Sequence, residues 1–111
     1  MLDSKTIQKI LKNIEKKPGV YQFINEDKQI IYVGKAKNLK SRVSSYFAKS
    51  TKHSVKNQAM LKKIQDIKIT VVDTELEAYL LETNLIKELR PKYNILMKDD
   101  KNFCYLKITK E

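Results

Sequence analysis

An acidic residue within an apolar helix stripe is the first candidate for chemistry. Residues 74–77 read TELE, a capping box that opens a helix running to Leu89. On a wheel of about 100° per residue, Glu82 lies about 40° from Ala78 and beside Leu89, within the apolar stripe. A buried carboxylate needs a partner. Two partners fit: a Lys or Arg from another element in a structural pair, or a hard divalent cation such as Mg²⁺.

A second candidate pair lies on an earlier helix. Arg42 and Tyr46 are one turn apart and share a face, and Arg42 also lies three residues after Leu39, next to the apolar stripe. The planar fork of arginine matches phosphate oxygens. The alternative is an arginine that is simply solvated on a basic helix.

Two tyrosines stand in consecutive short strands. Tyr21 and Tyr32 could be packing residues that face each other as a cross-strand pair. Gly34 and Lys35 follow the second strand directly. A glycine there lets a backbone or ligand approach closely, and a lysine beside a tyrosine would help to lower the phenol pKa.

The positive charge of the chain is concentrated in one segment. The formal net charge is +10. Residues 28–65 contain no acidic residue, whereas the rest of the chain is balanced at thirteen basic and thirteen acidic residues. Such a patch suits a polyanion, most often nucleic acid; the alternative is a solvated lysine-rich surface. The ten basic residues are Lys28, Lys35, Lys37, Lys40, Arg42, Lys49, Lys52, Lys56, Lys62 and Lys63.

Composition excludes several classes of protein. The 111 residues suit one domain, and no apolar run is long enough to span a membrane. Cys104 is the single cysteine and His53 the single histidine, which excludes an internal disulfide and a cluster of soft metal ligands. The lone cysteine indicates the reducing cytoplasm. We also expect a monomer, and we assign His53 no catalytic role.

Apolar periodicity and turn residues predict an α+β domain: a small, mainly antiparallel sheet of about three strands, flanked by helices. Four helices are expected. The first begins after Asp3 or Ser4 and ends at Pro18-Gly19, and the second begins after Asn38. The third begins at Ser54, and the fourth runs from Thr74 to Arg90-Pro91. Their inward residues include Ile7, Ile10, Leu11, Ile14, Val43, Phe47, Ala59, Met60, Leu61 and Ile64. Strands are expected at 20–24, at 29–33 with Gly34 as its end, and at 67–71, with weaker extended segments at 93–96 and 103–108.

The motifs together resemble a known family. Gly19-Val20-Tyr21 and, ten residues later, Tyr32-Val33-Gly34 resemble the tripeptides of the GIY-YIG nuclease superfamily, with valine for isoleucine in both. Residues 35–47, 77–87, 90–95 and 98–101 are similar to one branch, the N-terminal nuclease domain of the UvrC family. Residues 102–105 depart from the family pattern of an aromatic residue followed by proline.

The resemblance implies a role for each matched residue. Glu82 would be the sole protein ligand of one Mg²⁺ or Mn²⁺ ion, and Tyr32 the general base or the group that orients the attacking water. Arg42 would stabilise charge on the phosphate, and Gly34 would leave room for the substrate backbone. The other implied site residues are Tyr21, Lys35 and Tyr46, which would shape the water and phosphate positions, and Asn94, which would hydrogen-bond within the site. The residues implied to bind DNA are Lys35, Lys37, Lys40 and Arg42.

The implied function is metal-dependent hydrolysis of DNA, at the 3′-side incision of bacterial nucleotide excision repair. UvrC chains also carry parts that contact the UvrB subunit, so residues 1–111 are expected to be a single nuclease domain from the N-terminal part of a longer chain. One rival is an inactive nucleic-acid-binding module of the same fold. Another, motivated only by charge, is a basic RNA-associated protein.

Overall fold

Three antiparallel strands form the centre of the molecule. The computed structural model describes residues 3–48 and 55–95. Within these ranges β1 (Gly19–Ile24) lies between β2 (Ile30–Ala36) and β3 (Asp66–Val71), in the order β2-β1-β3. Both pairings are antiparallel, so the predicted sheet is confirmed.

Four helices flank the sheet in the described part of the chain. They are α1 (Ser4–Lys12), α2 (Leu39–Phe47), α3 (Val55–Lys63) and α4 (Glu75–Leu89). Among the described residues, no helix is long and apolar enough to cross a membrane.

The two faces of the sheet pack against different helices. Alternation along β1 directs Tyr21 and Phe23 towards α2, where they join Leu39 and Val43 in the larger core cluster. Val20 faces the other way, towards α4, and contributes to a smaller cluster that also contains Val33 and Ala78. A residue on a strand therefore belongs to either the α2 side or the α4 side, and this division decides which side chains can meet.

Two predicted element ends were wrong. Helix α1 stops at Lys12, well before Pro18-Gly19, because Asn13 and Ile14 bond back to Ile10 and Leu11 in a tighter turn. That turn lets Ile14 reach the core although it lies outside the helix.

Strand β2 continues through Gly34 to Ala36, because Gly34 pairs with Tyr21 in the ladder instead of breaking it.

Two residues that were predicted to face inward are exposed. Ala59 is exposed on α3, and Leu89 is 40% exposed at the end of α4.

The segment after α4 also differs from the prediction. Residues 92–95 are helical where 93–96 was expected to be extended. Tyr93 is nevertheless buried in the larger core cluster. The predicted segment at 103–108 and the residues His53 and Cys104 lie outside the described residues.

Helix α4 begins at the predicted cap. The Thr74 hydroxyl accepts a hydrogen bond from the Glu77 N–H at 3.1 Å. At the other end Arg90 adopts a left-handed conformation, with φ 48°, and its N–H bonds to the Ile86 carbonyl at 2.9 Å. The helix that carries Glu82 is therefore held at both ends.

We predict that Thr74→Ala lowers the free energy of unfolding by about 1 kcal/mol, because the Glu77 N–H loses its capping acceptor. Urea denaturation followed by circular dichroism measures the change. Thr74→Ser keeps the hydroxyl and should stay within a few tenths of a kcal/mol of the parent. Equal losses in the two variants would contradict the capping role.

Candidate active site

The two tyrosines of the sheet share one face but do not face each other directly. In the register of β1 and β2, Tyr21 lies opposite Gly34, and Phe23 lies opposite Tyr32. Tyr21 and Tyr32 are therefore diagonal neighbours, with ring centroids 6.2 Å apart. The alternative of a simple face-to-face pair was wrong, and both phenols are presented on the α2 side.

Gly34 is required by the ring of Tyr21. A Cβ atom placed on Gly34 would overlap the hydroxyl end of that ring. The close approach that this glycine permits is thus made by the phenol of Tyr21, and the room for a substrate backbone that the family resemblance implies stays a prediction. Glycine within a strand commonly marks such a close approach.

A hydrogen-bonded group links the sheet to α2. The hydroxyls of Tyr21 and Tyr46 are 2.8 Å apart and hydrogen-bonded. Arg42 donates from Nε to the Tyr21 hydroxyl at 3.4 Å, and its guanidinium carbon lies 5.7 Å from the centre of the Tyr46 ring. The expectation that Arg42 and Tyr46 share a face is confirmed, and that face is directed at Tyr21.

Phe23 is a part of this group that the sequence analysis missed. Its ring centroid lies 5.3 Å from that of Tyr21, 5.9 Å from that of Tyr32 and 5.1 Å from that of Tyr46. It is fully buried. The signal was its position two residues after Tyr21, which places both on one face of the strand. Phe23 is therefore the buried apolar residue against which all three phenol rings pack.

Burial raises the pKa of all three phenols. The pKa of Tyr21 rises to about 12, chiefly through burial and also through the nearby Tyr32. For Tyr32 and Tyr46 burial is again the main cause of a raised pKa, and the neighbouring phenols add to it. The hydrogen bond to Tyr21 in turn raises the pKa of Arg42. At neutral pH the three hydroxyls are protonated and Arg42 is charged.

The expected effect of Lys35 on a phenol pKa was wrong. Lys35 pairs with Val20, which faces α4, so alternation places the Lys35 side chain on the opposite side of the sheet from Tyr32. Sequence proximity of lysine and tyrosine therefore does not bring the two groups together.

The backbone of Lys35 contributes instead. Its N–H donates to Oε2 of Glu82 at 3.1 Å, which fixes the carboxylate of α4 against the edge strand. Glu82 is half-buried. Its negative charge also contributes to the raised pKa of Tyr32. The carboxylate thus lies within electrostatic reach of the phenol cluster.

The Glu82 carboxylate, oriented by the Lys35 N–H, fits a hard divalent cation. In the described ranges, no group of three or more His, Cys, Asp or Glu side chains could hold a metal ion. A single carboxylate oriented by a backbone N–H suits Mg²⁺, which keeps several waters and accepts phosphate oxygens as further ligands. Soft or fully protein-enclosed metal sites do not fit.

Asn94 supports the strand that carries Tyr32. Its Oδ1 accepts from the Val33 N–H at 2.7 Å, and its Nδ2 donates to the Val33 carbonyl at 2.9 Å. Asn94 thereby satisfies both outward-facing backbone groups of the edge strand at this point. It holds the strand between Tyr32 and Gly34 in place.

The lysines expected to bind DNA occupy different surroundings. Lys37 forms an exposed ion pair with Glu75 at 3.6 Å. Lys40 lines a cavity of about 510 Å³ whose other lysines are Lys5, Lys9 and Lys12 of α1. The basic surface around Lys40 therefore extends onto α1, outside the segment 28–65.

Comparison with known families gives a decisive match. The family model described as "UvrC-like GIY-YIG domain" matches residues 17–95. The chain belongs to this family. The matched range contains the sheet, the phenol cluster, Glu82 and Asn94.

Full-length relatives agree with this assignment. The chain is 57% identical over 99 residues to the UvrABC system protein C of Clostridium botulinum, and the match covers 89% of this chain and 16% of that protein. The chain thus spans about a sixth of the length of the curated relatives it matches.

Solved structures share the fold. The N-terminal endonuclease domain of UvrC from Thermotoga maritima, bound to magnesium as its catalytic cation, superposes with a TM-score of 0.71 at 38% identity, covering 83% of this chain and 98% of that one. A variant of that domain with one tyrosine replaced by phenylalanine, also bound to its catalytic divalent cation, has a TM-score of 0.72 at 37% identity, covering 83% and 98%. The predicted family and GIY-YIG nuclease fold are confirmed.

We predict that the raised pKa of Tyr21 makes stability fall as pH rises above about 10. The unfolded phenol ionises near pH 10, whereas the folded one stays protonated up to about pH 12. Ionisation therefore favours the unfolded state in this window. Relative to Tyr21→Phe, the parent should lose about 1 kcal/mol between pH 9 and pH 11 in urea denaturation. Parallel pH curves for the parent and the variant would refute the buried-phenol interpretation.

Proposed function

We propose that this domain is a divalent-metal-dependent endonuclease that hydrolyses a phosphodiester bond of DNA. One observation carries the proposal: the Glu82 carboxylate is bonded to the Lys35 N–H at 3.1 Å, on the same strand as Tyr32. This bond brings Glu82, the proposed metal ligand, to the strand that carries Tyr32, which supports the proposal. The magnesium-bound T. maritima endonuclease domain of the same fold supports this assignment.

Glu82 would hold one Mg²⁺ or Mn²⁺ ion through its carboxylate. When bound, such an ion supplies Lewis acidity at a phosphate oxygen and lowers the pKa of nearby water. The bond from Lys35 keeps the carboxylate at the strand edge without a second acidic residue. The tyrosine-to-phenylalanine variant of the T. maritima domain is also bound to its divalent cation. This agrees with a metal site that does not depend on every phenol.

Tyr32 would position the attacking water. Its raised pKa keeps the hydroxyl protonated at neutral pH, so it can both donate and accept a hydrogen bond. A phenolate base in the resting protein is disfavoured by burial and by the Glu82 charge. Orientation of water is therefore the better supported of the two roles that the family resemblance implies for Tyr32.

Arg42 would stabilise negative charge on the phosphate. Its contact with Tyr21 uses only Nε–H, one of the five N–H donors of the guanidinium. The side chain is otherwise exposed on the α2 side. Tyr21 and Tyr46 would hold that guanidinium in place, and Asn94 would hold the strand that carries Tyr32.

The relatives support a wider function. We propose that the domain makes the 3′-side incision of nucleotide excision repair, as the N-terminal domain of a longer UvrC-like protein that meets UvrB through other parts. It would act as a monomer in the bacterial cytoplasm. Lys35, Lys37, Lys40 and Arg42 would contact DNA. Support comes from the 57% identity with a UvrABC system protein C.

We predict that Glu82→Gln weakens Mn²⁺ binding at least about tenfold and lowers the rate of DNA nicking about a thousandfold, because the sole protein ligand loses its charge. Isothermal titration measures the first quantity, and conversion of supercoiled plasmid measures the second. Glu88→Gln removes the same charge from an exposed position on the same helix and should change neither. Unchanged Mn²⁺ affinity in Glu82→Gln would favour a structural carboxylate and the inactive binding module.

We predict that Tyr32→Phe lowers the nicking rate at least about a hundredfold while Mn²⁺ affinity changes less than about twofold, because only the water-directing hydroxyl is lost. The exposed Tyr79 provides the control Tyr79→Phe, which should nick normally. Substantial nicking by Tyr32→Phe would exclude both roles of this hydroxyl.

A further inference from the structure

A second cationic site lies at the opposite end of β2 from Gly34. A cavity of about 560 Å³ opens between the β1–β2 turn and the C-terminal end of α4. Three segments contribute four cations to its wall: the β1–β2 turn, the end of α3, and the chain directly after α4. Asn25 and Gln29 add amide groups. The cations are Lys28, Lys63, Arg90 and Lys92. Among the described residues, no carboxylate lines this cavity.

Two of these cations occupy backbone positions that disfavour them. Lys28 has φ 64° and Arg90 has φ 48°, and within residues 3–48 and 55–95 they are the only non-glycine residues with positive φ. Such positions favour glycine or asparagine. Both instead carry long cationic side chains, and both lie in the wall of the same cavity. Retained strain of this kind is typical of functional positions.

Both strained turns are held by hydrogen bonds. The Asn25 side chain accepts from the N–H groups of Asp27 and Gln29 at 3.0 and 2.9 Å, which fixes the turn that contains Lys28. The Arg90 N–H bonds to the Ile86 carbonyl at 2.9 Å. The backbone that carries Lys28 and Arg90 is therefore already ordered. Less conformational entropy of that backbone is lost when a ligand binds.

The cavity and the candidate active site are built on the same two chain segments. Ile31 and Tyr93 line it, and the next residues along the chain, Tyr32 and Asn94, belong to the site. From Glu82 to the end of α4 is about 10 Å along the helix axis. For a duplex whose axis lies along α4, a rise of about 3.4 Å per nucleotide makes this distance about three base pairs.

We infer that this cavity binds backbone phosphates of the DNA a few nucleotides from the bond that is cut. The inference rests on the proposed nuclease function, because the position of the scissile bond comes from it. An acidic protein segment would also be attracted by four cations. Nucleic acid is the better ligand because the same edge strand leads from the cavity directly to Tyr32.

The test compares two charge-matched variants. The cavity variant combines Lys63→Gln, Arg90→Asn and Lys92→Gln, in which asparagine suits the left-handed position of Arg90. The control variant combines Lys16→Gln, Lys68→Gln and Lys87→Gln, all exposed and outside the cavity. Affinity for a labelled DNA duplex is measured by fluorescence anisotropy at several salt concentrations, without divalent cations.

The cavity variant should bind DNA about tenfold more weakly, and its slope of log K against log salt should fall by about 2 to 3, because about 0.9 is lost per phosphate contact. The control variant should stay within about twofold of the parent. Lys28→Asn, which suits its backbone, provides an independent single variant and should weaken binding in the same direction.

Equal losses in the cavity and control variants would overturn the proposal, since net charge alone would then explain them. Unchanged DNA affinity in the cavity variant, with lost affinity for poly-glutamate, would also overturn it and assign the cavity to an acidic protein. Because binding is measured without metal, the result is separate from the Glu82→Gln test. Intact Mn²⁺ binding in Glu82→Gln would contradict the nuclease assignment and remove the reference to a cut bond, whereas phosphate binding by the cavity is decided by the anisotropy measurement alone.

Discussion

The arrangement of the candidate site depends on one contact, the phenol ring of Tyr21 lying directly on the backbone of Gly34. Only a residue without a side chain lets the ring approach the strand this closely. In that position the Tyr21 hydroxyl meets Tyr46 and Arg42 of α2. The two tripeptides of the motif are therefore halves of one packing unit, and their separation in the sequence is the length of a hairpin.

Burial gives this unit its electrostatic character. The rings of Tyr21, Tyr32 and Tyr46 pack against Phe23, and burial raises the pKa of each phenol above its ordinary value. A cluster of protonated hydroxyls can orient water but cannot by itself remove a proton at neutral pH. The chemistry then needs a group that activates the water. In the proposed function, Glu82, held at the edge of the sheet by the Lys35 N–H, would bind the divalent cation that activates this water.

Much of this arrangement could be predicted from local patterns. The caps at Asn38 and Thr74 mark the starts of α2 and α4, and the spacing of Arg42 and Tyr46 places them on one helix face. Errors occurred where a long-range contact overrides a local preference. Gly34 looked like a strand end, yet it continues the ladder because Tyr21 covers it. Lys35 looked like a neighbour of Tyr32, yet the alternation of the strand separates them.

Periodicity, caps and motif spacing are local properties of the chain, so they were enough to predict the four helices and the three strands of the described ranges, the family and the residues with chemical potential. Which of those residues meet depends on contacts between distant segments, and it became visible only in the folded molecule. The pairing of β1 with β2 sets Tyr21 over Gly34, and the docking of α4 brings Glu82 to the Lys35 N–H. The direction of the phenol pKa shifts was likewise decided by folding, because burial arises only when distant segments pack together.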